Sequence, residues 1–490
     1  MKNIEKNRCP SRYRREIGKY KVSLDEACFQ CGFCAEMCPS GVFERADGFN
    51  SLRTPYSARC VGPDCRRGPF GCVAKCPVEA IHIELDPQWK TLGDFRWPPD
   101  LILTTWQQAE TGEIPGGHLE YRVGESGGGF DSLSFLIDPA RAHSVSDTDG
   151  IGLSVSLNHR REGPQIEIPV PWYGAGMSFG SISLPTMLAR AMAAREWQTF
   201  TSTGEGGYPG ELIPYRDWII TQIATGLFGV NEGTIGRTRI IEFKYAQGAK
   251  PGLGGHLLGD KNTPSVARMR EAIPWKALFS PFPFHSVYSV EDHKKHIDWV
   301  KQINPGALIS VKVSTPSDVD MVAVGSYYAG ANIIHLDGGY GGTGAAPEIA
   351  KKNIAMPIEY AITKVHRFLE EEGVREEMVV MASGGIRTAD DIAKSVALGA
   401  DGVIIGTAEL VALGCVRCGN CESGRGCPRG IATTDPELDV QISPEWGAER
   451  ISNLYAAWEK RLKSLLLELG LRDIKELRGR TDLLRRADAS

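Results

Sequence analysis

From about residue 167 onward, short β-rich apolar runs alternate with segments of helical spacing. The runs are 168–177 (IPVPWYGAGM), 198–203, 239–245 (RIIEFKY), 277–281, 307–313 (ALISVKV), 332–336 (NIIHL), 378–382 (MVVMA) and 402–406 (GVIIG). The helical segments are clearest at 183–195, 264–272, 290–303, 317–329, 357–372 and 388–398. Eight strands separated by helices over about 240 residues is the arithmetic of a (β/α)8 barrel. The pattern predicts an α/β fold with this barrel over 166–412. An open doubly wound sheet would place a Gly-x-Gly-x-x-Gly loop after a strand, and none leads one here. Residues 86–165 carry Trp89, Trp97, Trp106 and the run Gly127-Gly128-Gly129 without firm periodicity, and read as a connector. Residues 436–490 read as a C-terminal helical tail.

Composition narrows the class. A chain of 490 residues holds two to four domains at about 100–200 residues each. With 42% hydrophobic and 23% charged residues it has an ordinary globular composition. No run of about 18 apolar residues predicts a membrane span. The charged start (MKNIEKNRCP) lacks the apolar core of a secretory signal, so a cytoplasmic location is expected. Lysine and arginine number 55 against 60 acidic residues, a net charge of -5 that leaves no nucleic-acid footprint.

The 13 cysteines change the picture more. Nine lie between Cys9 and Cys76, four between Cys415 and Cys427, and none between these groups. Clusters of this kind in a chain with no secretory signal point to metal sites rather than disulfides. Cys28-x2-Cys31-x2-Cys34-x3-Cys38-Pro39 has the spacing of a bacterial [4Fe–4S] run, whose fourth cysteine ligates the other cluster of a pair. A second set follows as Cys60-x4-Cys65-x6-Cys72-x3-Cys76-Pro77, with a longer front half. The assignment is Cys28, Cys31, Cys34 and Cys76 for one cluster, and Cys38, Cys60, Cys65 and Cys72 for the other. Structural zinc is the alternative, although zinc sites use four ligands in two short pairs. Cys9 is left over as a free thiol. Residues 20–85, including Val78-Glu79-Ala80-Ile81 after the last Cys-Pro, resemble the two-cluster bacterial ferredoxins. They form an expected ferredoxin-like α+β domain.

Glycine loops follow the ends of the predicted strands. Ser383-Gly384-Gly385-Ile386 follows the seventh and Gly406-Thr407-Ala408 the eighth. Loops after strands seven and eight recurrently bind phosphate in barrels. Glycine lets backbone N–H groups approach the phosphate oxygens, and the following helix adds its dipole. Beside iron–sulfur clusters, FMN is the natural candidate, because it exchanges two electrons with a substrate and one at a time with a cluster.

Longer strings are more specific. They are Gly174 to Ser183 (GAGMSFGSIS), Ser202 to Gly207 (STGEGG), Gln247 to Gly252 (QGAKPG), Asp337 to Ala345 (DGGYGGTGA), Gly406-Thr407-Ala408, and Gly414-Cys415 leading to Cys427 to Thr433 (CPRGIAT). Together they resemble the FMN-binding synthase domain of glutamate synthase from about 120 to 484, with Glu476 to Leu484 (ELRGRTDLL) as the tail. The added ferredoxin-like domain resembles the archaeal-type form. The resemblance implies a flavin surrounded by Met177, Ser178, Ser202, Gln247 and Lys250. Gly341, Gly342, Gly344, Gly384, Gly385, Gly406 and Thr407 would line its ring or phosphate. Glu205, Lys250, Gln247 and Arg270 would be the catalytic and substrate-binding groups. The implied reaction reduces 2-iminoglutarate, formed from 2-oxoglutarate and ammonia, to glutamate. Implied partners are a small amino or keto acid, a ferredoxin or reductase subunit as electron partner, and a separate glutaminase subunit, in an oligomer or complex.

Three departures stand out. The 413–435 loop carries Cys415-x2-Cys418-x2-Cys421-x5-Cys427, one cysteine more than the family's [3Fe–4S] triplet. Four thiolates favour a [4Fe–4S] cluster, with [3Fe–4S] on Cys415, Cys421 and Cys427, or zinc, as alternatives. Leu253 stands where the family has glutamate, and Phe284 lies in a string that normally carries paired histidines and an aspartate. No glutaminase domain is present, so ammonia would come free or from another subunit. Two further readings stay open. One is an electron-transfer subunit of a larger redox complex. The other is an amine or N-alkyl amino acid oxidoreductase running in the opposite direction. A 2-hydroxy-acid oxidase would need a histidine base, for which His285 and His335 are the candidates.

Overall fold

The computed structural model describes residues 8–13, 16–46, 51–62, 65, 71–115, 129–137, 150–281, 284–343, 346, 349–351 and 354–486. Its centre is one eight-stranded parallel sheet. In chain order its strands are β1 (Trp172–Gly174), β2 (Thr201–Ser202), β3 (Ile219–Ala224), β4 (Ile240–Lys244), β5 (Leu308–Ser314), β6 (Ile333–Asp337), β7 (Val379–Ser383) and β8 (Gly402–Ile405). Each pairs in parallel with the next from β2 to β8, and β8 pairs with β1. The ring closes between β1 and β2. Gly174 N–H donates to Phe200 O at 2.8 Å, and Gly176 forms a parallel bridge with Ser202.

The helices sit outside the barrel because their apolar positions follow the helical period. In Ile358–Glu371 the buried positions include Ile358, Ala361, Ile362, Val365 and Leu369. The helices Leu184–Glu196, Val290–Ile303, Val319–Ala329 and Ala389–Ala397 agree with the sequence expectation to within two residues.

Two strand assignments in the barrel differ. The run 277–281 is not a barrel strand: Leu278–Phe279 pairs antiparallel with His256–Leu257 in a hairpin on the excursion between β4 and β5. Phe279 is mostly exposed there, so the apolar run marks no buried strand. The missing strand is β3, where Thr221 and Gln222 interrupt the apolar pattern. All six of its residues are nevertheless buried, because Gln222 finds a partner inside the barrel. One false and one missed strand compensate, so β7 and β8 keep their places.

The connector holds a 13-residue helix, Pro99–Thr111, that its sequence hides. Nearly every side of this helix is covered, so no amphipathic period survives. It packs against Thr407–Ala412 and against the 25-residue helix Pro444–Glu468. Fully buried Arg450 ties these pieces together, donating to the carbonyls of Ala412 (2.6 Å), Cys9 (2.7 Å) and Trp106 (3.2 Å). The tail is not wholly helical. Leu484–Arg486 pairs antiparallel with Leu133–Phe135 of the connector. At the N-terminal end of the chain, Tyr20–Leu24 pairs with Ile81–Leu85 and frames the first cysteine loops over a small core of Val22, Cys34, Val42, Phe43 and Ile81. Among the described residues, no helix is long and apolar enough to cross a membrane.

Candidate active site at the C-terminal mouth of the barrel

Inside the barrel, alternation along each strand turns every second side chain inward. Register aligns Gln222, Glu242 and Ser310 across β3, β4 and β5. Glu242 accepts from Gln222 Nε2 at 2.7 Å and Ser310 Oγ at 3.1 Å, and lies 2.9 Å from His335 Nδ1. His335 Nε2 lies 2.7 Å from Ser383 Oγ, which donates to Asp337 at 2.6 Å. Asp337 also takes the Gly248 N–H at 3.1 Å and pairs with Lys312 at 3.2 Å. Burial opposes the charge of Glu242, but His335, Lys312 and Gln222 outweigh it and hold the carboxyl at about 2. Both ring nitrogens of His335 are engaged and the residue is fully buried, so it does not face a substrate as a free base.

Above this network lie the loops that leave the strand ends. Glu205 follows β2, Gln247 and Lys250 follow β4, and Arg270 ends the helix Pro264–Arg270. The structure brings them together. Lys244 Nζ lies 3.3 Å from the Glu205 carboxylate and donates to Gln247 Oε1 at 2.8 Å. Burial alone would raise the Glu205 pKa; Lys244, Lys250 and Arg270 together hold it below the ordinary value. Burial, then Lys244, pushes Lys250 down to about 8, against the pull of Glu205 and Glu422. Arg270 is buried, donates to Ser178 Oγ at 3.1 Å and Phe179 O at 2.9 Å, and its Nε has no partner among the described residues. Gly255 carries no side chain because a Cβ there would meet the Glu205 carboxylate. Three cations therefore face one carboxylate in a site withdrawn from water.

The other expected flavin residues surround the same mouth. Ser202 Oγ accepts from Gly204 N–H at 3.2 Å, and Gly204 packs on the backbone of Met177 and Ser178. Gly342 lies beside Thr407 and the Arg417 guanidinium, and Gly384 and Gly385 lie against Gly338 and Tyr340. Among the described residues, a Cβ at Gly341 or Gly406 would meet nothing closer than 3.6 Å or 3.5 Å, so their packing does not demand glycine there. That spare room at the strand ends fits a bound group. Gly344 lies outside the described residues. Of the two departures, Leu253 is exposed, whereas Phe284 is buried against Tyr245 and Phe243. Phe284 thus packs in the core.

Within each cysteine region, neighbouring thiols act on one another. Cys34 is raised to about 11 by burial, with Cys28 and Cys31 adding to the effect. Cys28, Cys31, Cys34 and Cys76 line one small cavity, where Cys72 also reaches. Cys60 is pushed up to about 11 by burial and then by Cys72, Cys38 and Cys65. In the C-terminal loop burial lifts Cys415 to about 12, with Cys421 and Cys427 adding, while Cys418 acts on Cys421. Backbone N–H groups point at three sulfurs: Val42 at Cys38 (3.4 Å), Ala80 at Cys76 (3.3 Å) and Arg417 at Cys415 (3.4 Å). Grouped, half-buried thiols with N–H···S contacts suit an iron–sulfur group, which neutralises their thiolates. Among the described residues, no group of three or more His, Cys, Asp or Glu side chains is gathered as a site for a metal ion.

The residues that sequence reasoning missed are Lys244, Lys312, Glu242, Asp337 and Gln222. Their one signal is polarity at alternate positions of strands that otherwise read as fully apolar.

Barrel and mouth together define an α/β barrel with buried charged groups gathered at the C-terminal strand ends. The family model for the conserved region in glutamate synthase matches residues 144–472. The chain is 36% identical to the archaeal-type glutamate synthase [NADPH] of Thermotoga maritima, over 98% of this chain and 96% of that one. It is 38% identical to the archaeal glutamate synthase [NADPH] of Methanocaldococcus jannaschii, over 95% of each. The glutamate synthase [NADPH] large chain of Azospirillum brasilense is 37% identical over 63% of this chain, and 21% of its own length is covered. Among solved structures, a flavocytochrome b2 with sulfite bound matches at 16% identity and a TM-score of 0.46, over 78% of this chain and 82% of that one. The chain belongs to the archaeal-type glutamate synthase family and is an oxidoreductase acting on CH–NH2 groups.

Proposed function

We propose that the chain reduces 2-iminoglutarate, formed from 2-oxoglutarate and ammonia, to glutamate, with electrons entering through iron–sulfur clusters. The observation that carries this reading is the charge of the mouth: Lys244, Lys250 and Arg270 converge on Glu205, with Glu422 the second carboxylate acting on Lys250. A surplus of positive charge in a buried site suits a carboxylate substrate, because unpaired buried charge is costly. The Arg270 guanidinium holds one carboxylate, as a planar fork suits it. Lys250 Nζ holds the proton that the imine nitrogen needs before the imine carbon can accept a hydride, and its lowered pKa suits transfer near neutrality. Glu205 keeps that ammonium in place and is itself held charged by Lys244. The Gln222–Glu242–His335–Ser383–Asp337–Lys312 network forms a rigid floor beneath them.

FMN would be held by Met177, Ser178, Ser202, Gln247 and Lys250 and by the loops at Gly341, Gly342, Gly384, Gly385, Gly406 and Thr407, with Gly344 in the same string. When bound it supplies hydride chemistry and one-electron exchange with clusters. The clusters would use the three cysteine sets named above, and the third is either [4Fe–4S] or [3Fe–4S]. A ferredoxin or a reductase subunit is the electron partner in this reading, and a separate glutaminase is one source of ammonia. Anaerobically purified protein is expected to contain one FMN and about 12 iron atoms per chain if all three clusters are cubanes, or about 11 with a [3Fe–4S] third cluster. Iron, sulfide and flavin assays check this, and a chain that neither retains nor takes up flavin contradicts it.

A further inference from the structure

The segment that follows Lys250 runs directly to the second cysteine region. Lys261 is buried and extends its ammonium to the carbonyl oxygen of Cys421, 2.5 Å away. The same nitrogen lies 3.4 Å from the carboxylate of Glu422. The backbone holds this ammonium in place. Fully buried Asn262 donates to Ile273 O and Lys276 O at 2.9 Å each, fixing the turn that carries Lys261. Glu422 also acts on Lys250. Three charges thus run in sequence, Lys250, Glu422 and Lys261, from the substrate side of the mouth to a cysteine of the 415–427 loop. Arg417, which also acts on Cys421, is paired with Asp94 at 2.7 Å.

We propose that Lys261 sets the reduction potential of the iron–sulfur group held by the 415–427 loop, with Glu422 opposing it. The inference rests on the iron–sulfur reading of that loop. Reduction adds one electron, and so one negative charge, to the cluster. A buried cation beside the ligating loop favours the reduced state, and the low local dielectric leaves its effect little screened. Net charge and hydrogen bonding around a cluster are the levers by which a protein moves its potential. A carboxylate on the next residue works in the opposite direction. The two side chains therefore form a positioning pair whose removal, one at a time, has opposite signs. A purely structural contact would not produce that result.

The test uses the full chain, purified anaerobically with its clusters. Redox titration followed by low-temperature EPR reads the midpoint of each cluster in wild type, Lys261→Met, Lys261→Arg and Glu422→Gln. Lys261→Met is expected to lower the midpoint of the C-terminal cluster, Glu422→Gln to raise it, and Lys261→Arg to restore it to near the wild-type value. The N-terminal clusters should not move in any variant. Unchanged midpoints, or shifts of the same sign in Lys261→Met and Glu422→Gln, overturn the proposal. Should Lys261→Met fail to hold its cluster, Glu422→Gln carries the sign test alone. A Cys421→Ser chain with unchanged iron content and EPR would remove the cluster from this loop, which overturns the cluster reading and this inference together.

Discussion

Lys250→Ala is expected to lower turnover per bound flavin by about 10²–10⁴-fold, the range for losing a positioned proton donor, while iron content stays at the wild-type level. The wild-type enzyme should also show a pH profile with the matching sign. Burial, with Lys244 beside it, holds the Lys250 pKa at about 8. The ammonium is the acid form, so it is full below that value and lost above it. The rate of imine reduction should fall as the pH rises through about 8, and that limb should be missing in the Lys250→Ala protein. Steady-state rates over pH, with cofactor content measured on the same samples, decide this. A variant with wild-type turnover would remove Lys250 from the chemistry.

Arg270→Ala is expected to act mainly on binding. Losing a charge-assisted contact to a substrate carboxylate costs about 1.5–3 kcal/mol, which is about 10- to 100-fold in KM for the 2-oxo acid. Arg270→Lys should recover only part, because an ammonium lacks the planar fork. Arg270 also supports Ser178 and the charge of Glu205, so a smaller fall in kcat accompanies the change in KM. An Arg270→Ala protein with unchanged KM and a large loss of kcat would place the arginine in the chemical step instead.

The barrel was legible because its helices repeat with the helical period and most of its strands are short continuous apolar runs. Strand β3 escaped because Gln222 makes it look polar, and the reason for that glutamine is its bond to Glu242 on the adjacent strand, which local pattern cannot show. Leu278–Phe279 misled because an exposed hairpin and a buried strand share the same short apolar composition. The connector helix was silent because burial on nearly every side erases an amphipathic signal. At the site, Glu205, Gln247, Lys250 and Arg270 were proposed from motifs in three separate stretches of chain. That they meet at one point, and that Lys244 pairs with Glu205 while Lys261 reaches Cys421, depends on how the β4–β5 excursion folds back over the mouth. Spacing along the chain carries no such information.

In the proposed function, the buried cationic mouth serves to reduce an imine of a dicarboxylic keto acid. The most direct measurement starts from the FMN-loaded enzyme reduced under anaerobic conditions. Stopped-flow absorbance then follows the flavin as 2-oxoglutarate and ammonium are added, separately and together. The account predicts rapid flavin reoxidation only when both are present, with one glutamate formed for every two electrons lost. A flavin that stays reduced in their joint presence, yet reoxidises readily with an artificial one-electron acceptor, would contradict it.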